Sequence, residues 1–339
     1  MDVQTILLTA VNAIFPIILM ISLGYFLRQN GMLSDVFLKN ANKLVFNISL
    51  PAMLMLNVYS IESLAYVRWD IVIYSSLILI VIFFLGLASA MAATPVPQRR
   101  GVVLQCVFRS NFAIIGLPLA ASLGGAEAEA SAAVLSAVMI PQFNVLAVVA
   151  LSMFVSQDGK ISARKIAMGI VKNPLIQGVA MGLFLLIIRA LQIELFGNVV
   201  ISLKRDLKFV YTVLNHLKSL TTPLALLVLG GQFAFSAVKD LRKEIIVSVC
   251  WRLLITPAIG IGGAYLASSF GLIQCASAEY AALVALFASP VAVSSAVMVS
   301  EMKNDEQLGT QLVVWTSLCS ALTIFVIVCL LMALGLIVA

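Results

Sequence analysis

Runs of about 20 apolar residues, separated by short polar connections, repeat along the whole chain. That is the length an α-helix needs to cross the hydrocarbon core of a bilayer. Ten such runs are read, at approximately 5–28, 36–59, 70–92, 101–123, 131–156, 171–192, 209–235, 244–268, 279–300 and 307–337. They are continuously apolar rather than alternating, which excludes a closed β-barrel. Prolines interrupt them in matched places: Pro51 and Pro118 recur, at the same separation, as Pro223 and Pro290. Proline in a helix interior removes an N–H and frees a carbonyl. In lipid such backbone is tolerated only where it is buried in protein or lines a cavity. Matched breaks in two halves therefore point to a transporter's substrate site.

The segment order agrees with a duplication. Ile48-Ser-Leu-Pro51 in the second run pairs with Leu220-Thr-Thr-Pro223 in the seventh, and Gly116-Leu-Pro118 in the fourth with Ala288-Ser-Pro290 in the ninth. Each half holds five runs, an odd number, so the second half enters the membrane from the opposite side. The predicted fold is an all-α integral membrane protein of ten transmembrane helices in two inverted five-helix repeats, with crossed broken helices in segments four and nine. The first repeat covers 1–156 and the second 171–339. A cytoplasmic hinge loop, 157–170, joins them and carries the turn signal Asp158-Gly159.

Composition supports the membrane reading: 62% of residues are hydrophobic, 11% are charged, and mean hydropathy is +1.10. Most Lys and Arg fall in one set of connections: Arg28, Lys39, Lys43, Arg99, Arg100, Lys160, Arg164, Lys165, Lys172, Lys239, Arg242, Lys243 and Lys303. The other set holds Arg68, Arg189, Lys204, Arg205 and Lys208. The positive-inside rule makes the first set cytoplasmic and sends both termini outward. The +6 net charge is thus a topology signal, and nucleic acid is not an expected partner. The stretch 193–208 is basic yet external, and is read as an interfacial amphipathic piece. No basic n-region precedes the first run, so it is read as a retained helix. The five cysteines are scattered as packing residues, and the single histidine, His216, can form no histidine cluster for a metal.

Candidate chemistry concentrates in the fourth segment, Arg109-Ser-Asn-Phe-Ala-Ile-Ile-Gly-Leu-Pro118. Asn111 offers both donor and acceptor to a ligand, Gly116 permits close backbone approach, and Pro118 is expected to break the helix. In the ninth segment Ser289, Ser294 and Ser295 surround the break at Pro290. Two broken helices crossing near the midplane would aim positive half-helix N-termini at a bound anion. Serine and glycine are also ordinary helix-contact residues in membranes, which is the simpler account of any single serine. The matched pair Pro118 and Pro290 favours function. Gln142 and Asn144 in the fifth segment serve either substrate contact or interhelical bonding. Asn47, Ser49 and Pro51, with Thr221, Thr222 and Pro223, are read as a facing wall. Arg109, Lys218 and Arg252 are the cations placed within spans, each a site hypothesis with structural snorkelling or pairing as the alternative. No Asp or Glu falls mid-span; Glu279 and Glu301 lie near the ends of the ninth. That argues against a pump built on paired buried carboxylates and against a membrane-embedded enzyme, which needs a buried acid, base or metal constellation. No phosphate-binding loop for ATP is present.

At these residues the chain resembles the auxin efflux carrier family, which includes plant PIN-type carriers and bacterial relatives linked to malate, malonate and similar carboxylates. Four motifs in order carry the resemblance nearly end to end: Asn111-x4-Gly116-x-Pro118, Lys172-Asn173-Pro174, Arg252-x4-Pro257, and Pro290 followed by Glu301. The resemblance implies a scaffold of segments one, two, six and seven (5–59 and 171–235), often dimeric, and a transport domain of segments three to five and eight to ten (70–156 and 244–337). It also implies elevator-type transport of an organic anion, with Asn111 as a substrate ligand. Plant members have a second Asn where this chain has Leu175, and a second proline where it has Ser295; their long cytoplasmic loop is absent. The expected function is secondary transport of a small carboxylate, a dicarboxylate or an auxin-like acid, across a plasma membrane of bacterial inner-membrane type. No cofactor is expected, sodium or proton coupling stays open, and the partners are the anion, the bilayer and a second copy of the chain. An anion channel is the first alternative and a membrane-embedded enzyme the second.

Overall fold

The structure, a computed structural model, describes residues 3–60, 68–154 and 163–337. These residues are helical throughout, apart from connections and one isolated bridge between Ser110 and Val291. The chain begins with α1 (Val3–Gln29). Next, α2 (Asp35–Leu44) runs through a π-helical turn (Val45–Ser49) into α3 (Leu50–Tyr59). Then come α4 (Trp69–Ala93), α5 (Pro97–Phe108), a second π-helical turn (Phe112–Gly116) and α6 (Leu117–Ser152). The second half holds α7 (Ala163–Lys172), α8 (Pro174–Phe196), α9 (Lys208–Gln232), short α10 (Ala237–Asp240) and α11 (Arg242–Cys250). Two further π-helical turns (Trp251–Ile255, Ala258–Gly262) lead into α12 (Gly263–Ser269), followed by α13 (Ser277–Ala288), α14 (Ser294–Glu301) and α15 (Glu306–Ala333).

Among the described residues six helical stretches are long and apolar enough to cross a membrane: Trp69–Ala93, Phe112–Ser152, Pro174–Phe196, Lys208–Gln232, Arg242–Ser269 and Glu306–Ala333. Side chains that satisfy free N–H groups mark several helix starts. Ser34 Oγ accepts from the Phe37 amide at α2, Asn173 Oδ1 from Leu175 at α8, and Asp305 Oδ1 from Leu308 at α15. Asn173 followed by Pro174 is therefore a helix start, with proline where its missing N–H costs nothing.

The prolines act differently from expectation. Pro51, Pro118 and Pro257 each stand two residues beyond a π-helical turn. A proline ring clashes with the carbonyl four residues back and cannot bond it. Widening the preceding turn accommodates that clash without breaking the helix. Pro118 therefore does not break the fourth segment: the break lies at Arg109–Asn111, between α5 and the π-helical turn. Pro290 does lie in a break, between α13 and α14. Downstream, α6 is interrupted at Gly124 and Gly125, the latter at φ 64°, a conformation that glycine alone adopts readily.

Two further expectations need correction. The hinge loop is not loop throughout, since Ala163–Lys172 forms α7; Asp158-Gly159 lies outside the described residues. The stretch 193–208 is no amphipathic helix either. After Phe196 the chain turns at Gly197 and runs irregularly to Lys208, held by Gln192 bonded both ways to Ile201 and by Arg205 paired with Asp206.

The helices pack in two groups. α1, α3, α8 and α9 pack chiefly on one another, while α4, α5, α6, α11, α13 and α15 form the second group. Small residues let the first group close up: a methyl added at Gly178 would fall on the Pro51 carbonyl, and one at Gly182 on that of Met55. Gly178→Val is therefore expected to force α8 off α3 and lower thermal stability in detergent by about 1–3 kcal/mol; an unchanged melting temperature would contradict this packing. In the second group α13 is buried from Ala278 to Ala288, as befits a central helix. Ion pairs tie this group at two places. Arg99 joins Glu244 (3.1 Å) and Asp305 (2.8 Å), linking α5, α11 and the start of α15. Arg68, ahead of α4, joins Asp70 (2.9 Å) and Glu279 of α13 (3.3 Å).

Candidate functional site

The two breaks meet. Asn111 N–H donates to the Pro290 carbonyl at 2.8 Å, and Ala292 N–H to the Arg109 carbonyl at 3.3 Å, so residues 109–111 and 290–292 run antiparallel as a single bridge. Thr316 of α15 braces the second break: its Oγ1 accepts from the Val291 N–H at 3.3 Å and donates to the Leu312 carbonyl at 2.6 Å. Each break leaves one helix C-terminus and one helix N-terminus at the crossing, and their unpaired backbone groups must be satisfied or face a ligand.

The C-termini are satisfied by one residue. Arg252 is wholly buried, and its guanidinium donates to Val107 O (3.3 Å) at the end of α5. It also donates to Leu286 O (3.4 Å), Phe287 O (2.6 Å) and Ser289 O (3.0 Å) at the end of α13. Thr256 Oγ1, one turn on, adds a bond to Val107 O at 2.9 Å. A helix C-terminus carries roughly half a negative charge, so two of them match one guanidinium. Arg252 neither snorkels nor awaits a ligand; it binds the crossing together.

The N-termini are left differently. The first turn after the break at 109–111 (Ala113, Ile114) and the start of α14 (Val293, Ser294) line one cavity of about 50 Å³, room for a few waters. Arg109 reaches the same cavity and is 4% exposed. Its Nη2 donates to Asn144 Oδ1 (2.9 Å) and Ser294 Oγ (3.0 Å), and its Nη1 contacts the Met298 sulfur. All three partners are neutral, and Arg109 forms no ion pair among the described residues. Beside it Asn111 is 3% exposed, and its Nδ2 has no bonding partner among the described residues. One uncompensated cation, one free amide donor and two helix N-termini converge here, an arrangement suited to an anion.

Of the residues singled out from sequence, Arg109, Asn111, Asn144, Thr221, Thr222 and Ser294 line this cavity. Pro290 supplies the carbonyl that anchors Asn111. Gly116 faces α13 instead, where a methyl would strike the Ala285 carbonyl and the Phe112 ring. Pro118 lies in the helix beyond it. Ser289 Oγ is turned to the Ala285 carbonyl at 2.6 Å, and Ser295 is buried beside Gln105 and Cys106 behind the crossing. Gln142 lies toward Ser76 of α4, at 3.4 Å. Asn47 is exposed and bonds the Lys43 carbonyl at 2.9 Å, and Pro51 packs on Gly178; neither lines the cavity. The facing wall is one stripe of α3, Leu50, Met53, Leu54 and Asn57, with Thr221, Thr222 and Ala225 of α9. Asn57 was not among the candidates. Its signal was available: it falls at helical spacing three and four residues on from Leu54 and Met53, a lone amide in an apolar run.

The sequence model of the family described as membrane transport protein matches residues 9–328. A search of curated proteins found no significant match. With apolar helices of spanning length, a crossing of two broken helices and a family match over nearly the whole chain, this multi-pass membrane protein belongs to the membrane transport protein family, that of the auxin efflux carriers.

Proposed function

We propose that the protein is a secondary carrier that moves a small carboxylate anion across the plasma membrane by elevator-type alternating access. The observation that carries this reading is Arg109. A guanidinium buried at the crossing with only neutral partners needs an anion to balance it, and the free Asn111 Nδ2 beside it supplies a directional donor. The helix path supports ten spans in two inverted repeats: α1; α2 with α3; α4; α5 with the first arm of α6; the second arm of α6; α8; α9; α11 with α12; α13 with α14; and α15. The two packing groups support a scaffold (α1–α3, α8, α9) and a transport domain (α4–α6, α11–α15), with the cavity between them. By the charge bias of the connections the hinge is cytoplasmic and both termini are outside. The exposed apolar faces of the scaffold suit contact with lipid or a second copy.

The test is uptake in proteoliposomes of labelled malate, malonate, succinate, lactate and indole-3-acetate, with and without a sodium or proton gradient. Asn111→Ala is expected to cut uptake of the preferred anion at least about ten-fold with an unchanged melting temperature. Uptake that Asn111→Ala leaves intact would remove Asn111 from the site. Flux without saturation or counterflow from preloaded vesicles would point to a channel instead.

A further inference from the structure

We infer that the cargo is a monoanion, with one carboxylate seated on Arg109 and Asn111 and a neutral hydrogen-bonding group at its far end, read by Asn57 and Thr222 of the facing wall. This rests on the carboxylate-carrier reading and narrows it. Among the described residues, Arg109 is the only ionisable one lining the cavity. One carboxylate neutralises it; a second would leave a net negative charge inside the membrane, where an unpaired charge is expensive. The opposite wall has little to hold such a charge. Its polar side chains are Asn57, Thr221 and Thr222, and the Thr221 hydroxyl donates to the Leu217 carbonyl at 3.0 Å. The side chains of Asn57 and Thr222 make no hydrogen bond among the described residues, so an amide and a hydroxyl remain to exchange hydrogen bonds with a hydroxyl or amide on the cargo. Both are half-buried, and polar groups that a bound ligand covers discriminate because a ligand without the matching group leaves them unpaired. Arg109 and Asn111 sit on the crossing while Asn57 and Thr222 sit on α3 and α9, so both packing groups must be in place for the far end to be read.

A size-matched four-carbon series tests this: butyrate, 4-hydroxybutyrate and succinate, as competitors and as labelled cargo, with the full-length protein in proteoliposomes. The expected order is 4-hydroxybutyrate first, butyrate several-fold weaker, and succinate roughly ten-fold or more below the best. Asn57→Ala and Thr222→Val are each expected to bring the ratio of 4-hydroxybutyrate to butyrate uptake down toward one, whatever they do to either rate alone, a ratio that a merely structural role would not move. Asn57→Arg, which adds a second cation opposite Arg109, is expected to turn the preference toward succinate. Preference of the wild type for succinate would overturn the inference, as would a 4-hydroxybutyrate to butyrate ratio that both neutral variants leave unchanged. Failure of all three acids to compete, with 1,4-butanediol competing instead, would overturn the carboxylate reading itself.

Discussion

Arg252→Met is expected to destabilise the protein more than any other single substitution at the crossing. It would remove the shared donor of two helix C-termini, leaving the buried Val107, Phe287 and Ser289 carbonyls short of a partner. Thr256 keeps one bond to Val107, so the α13 end suffers most. Leaving buried carbonyls unpaired costs about 1–3 kcal/mol each, enough in sum to lower the melting temperature by roughly 10 °C and to reduce the yield of monodisperse protein. Arg252→Lys keeps the charge but not the planar fork of donors, and is expected to fall between. Size-exclusion profiles and thermal denaturation of the three proteins decide the matter; a methionine variant as stable as wild type would show that Arg252 does not hold the crossing.

Arg109→Met should do the opposite: lose transport and keep the fold. Arg109 is buried with three neutral contacts and no carboxylate among the described residues, so its desolvation is poorly offset in the empty protein. Removing it relieves that cost and strands only the Asn144 and Ser294 oxygens. The melting temperature is expected to stay within about 2 °C of wild type or to rise, in keeping with strain held at functional sites. Uptake is expected to fall roughly 100-fold, because truncating one side of a buried charge contact costs about 2–5 kcal/mol. Measuring both quantities on one preparation is decisive: a loss of stability comparable to that of Arg252→Met would place Arg109 among the structural cations.

The contrast between these arginines marks where sequence reading stops. Both stood out as cations within apolar runs, and nothing local distinguishes them. Their roles depend on which backbone atoms lie across the fold, and the carbonyls that Arg252 binds belong to residues 34 to 145 positions away. Apolar run length, by contrast, is a local property, so most helices and the break at Pro290 were legible. Pro118 misled because its consequence depends on the turn before it: a π-helical turn absorbed the clash, and the chain opened instead at Arg109–Asn111, where Asn111 finds the Pro290 carbonyl. Gly116 was read correctly as a close approach but assigned to a ligand, whereas the approach is to α13. Asn47 and Pro51 were placed on the facing wall by proximity to the matched proline; the helical face of α3 that reaches the cavity runs instead through Leu50, Met53, Leu54 and Asn57.

The capture of both C-termini by Arg252 has an evolutionary consequence. The crossing is sorted by polarity, with its negative ends held permanently by one internal cation and its positive ends open to the cavity. On the carboxylate-carrier reading proposed above, cargo and architecture fall to separate residues. On that reading, divergence toward new anions would run through positions 57, 109, 111 and 222, while selection for a foldable chain acts on position 252.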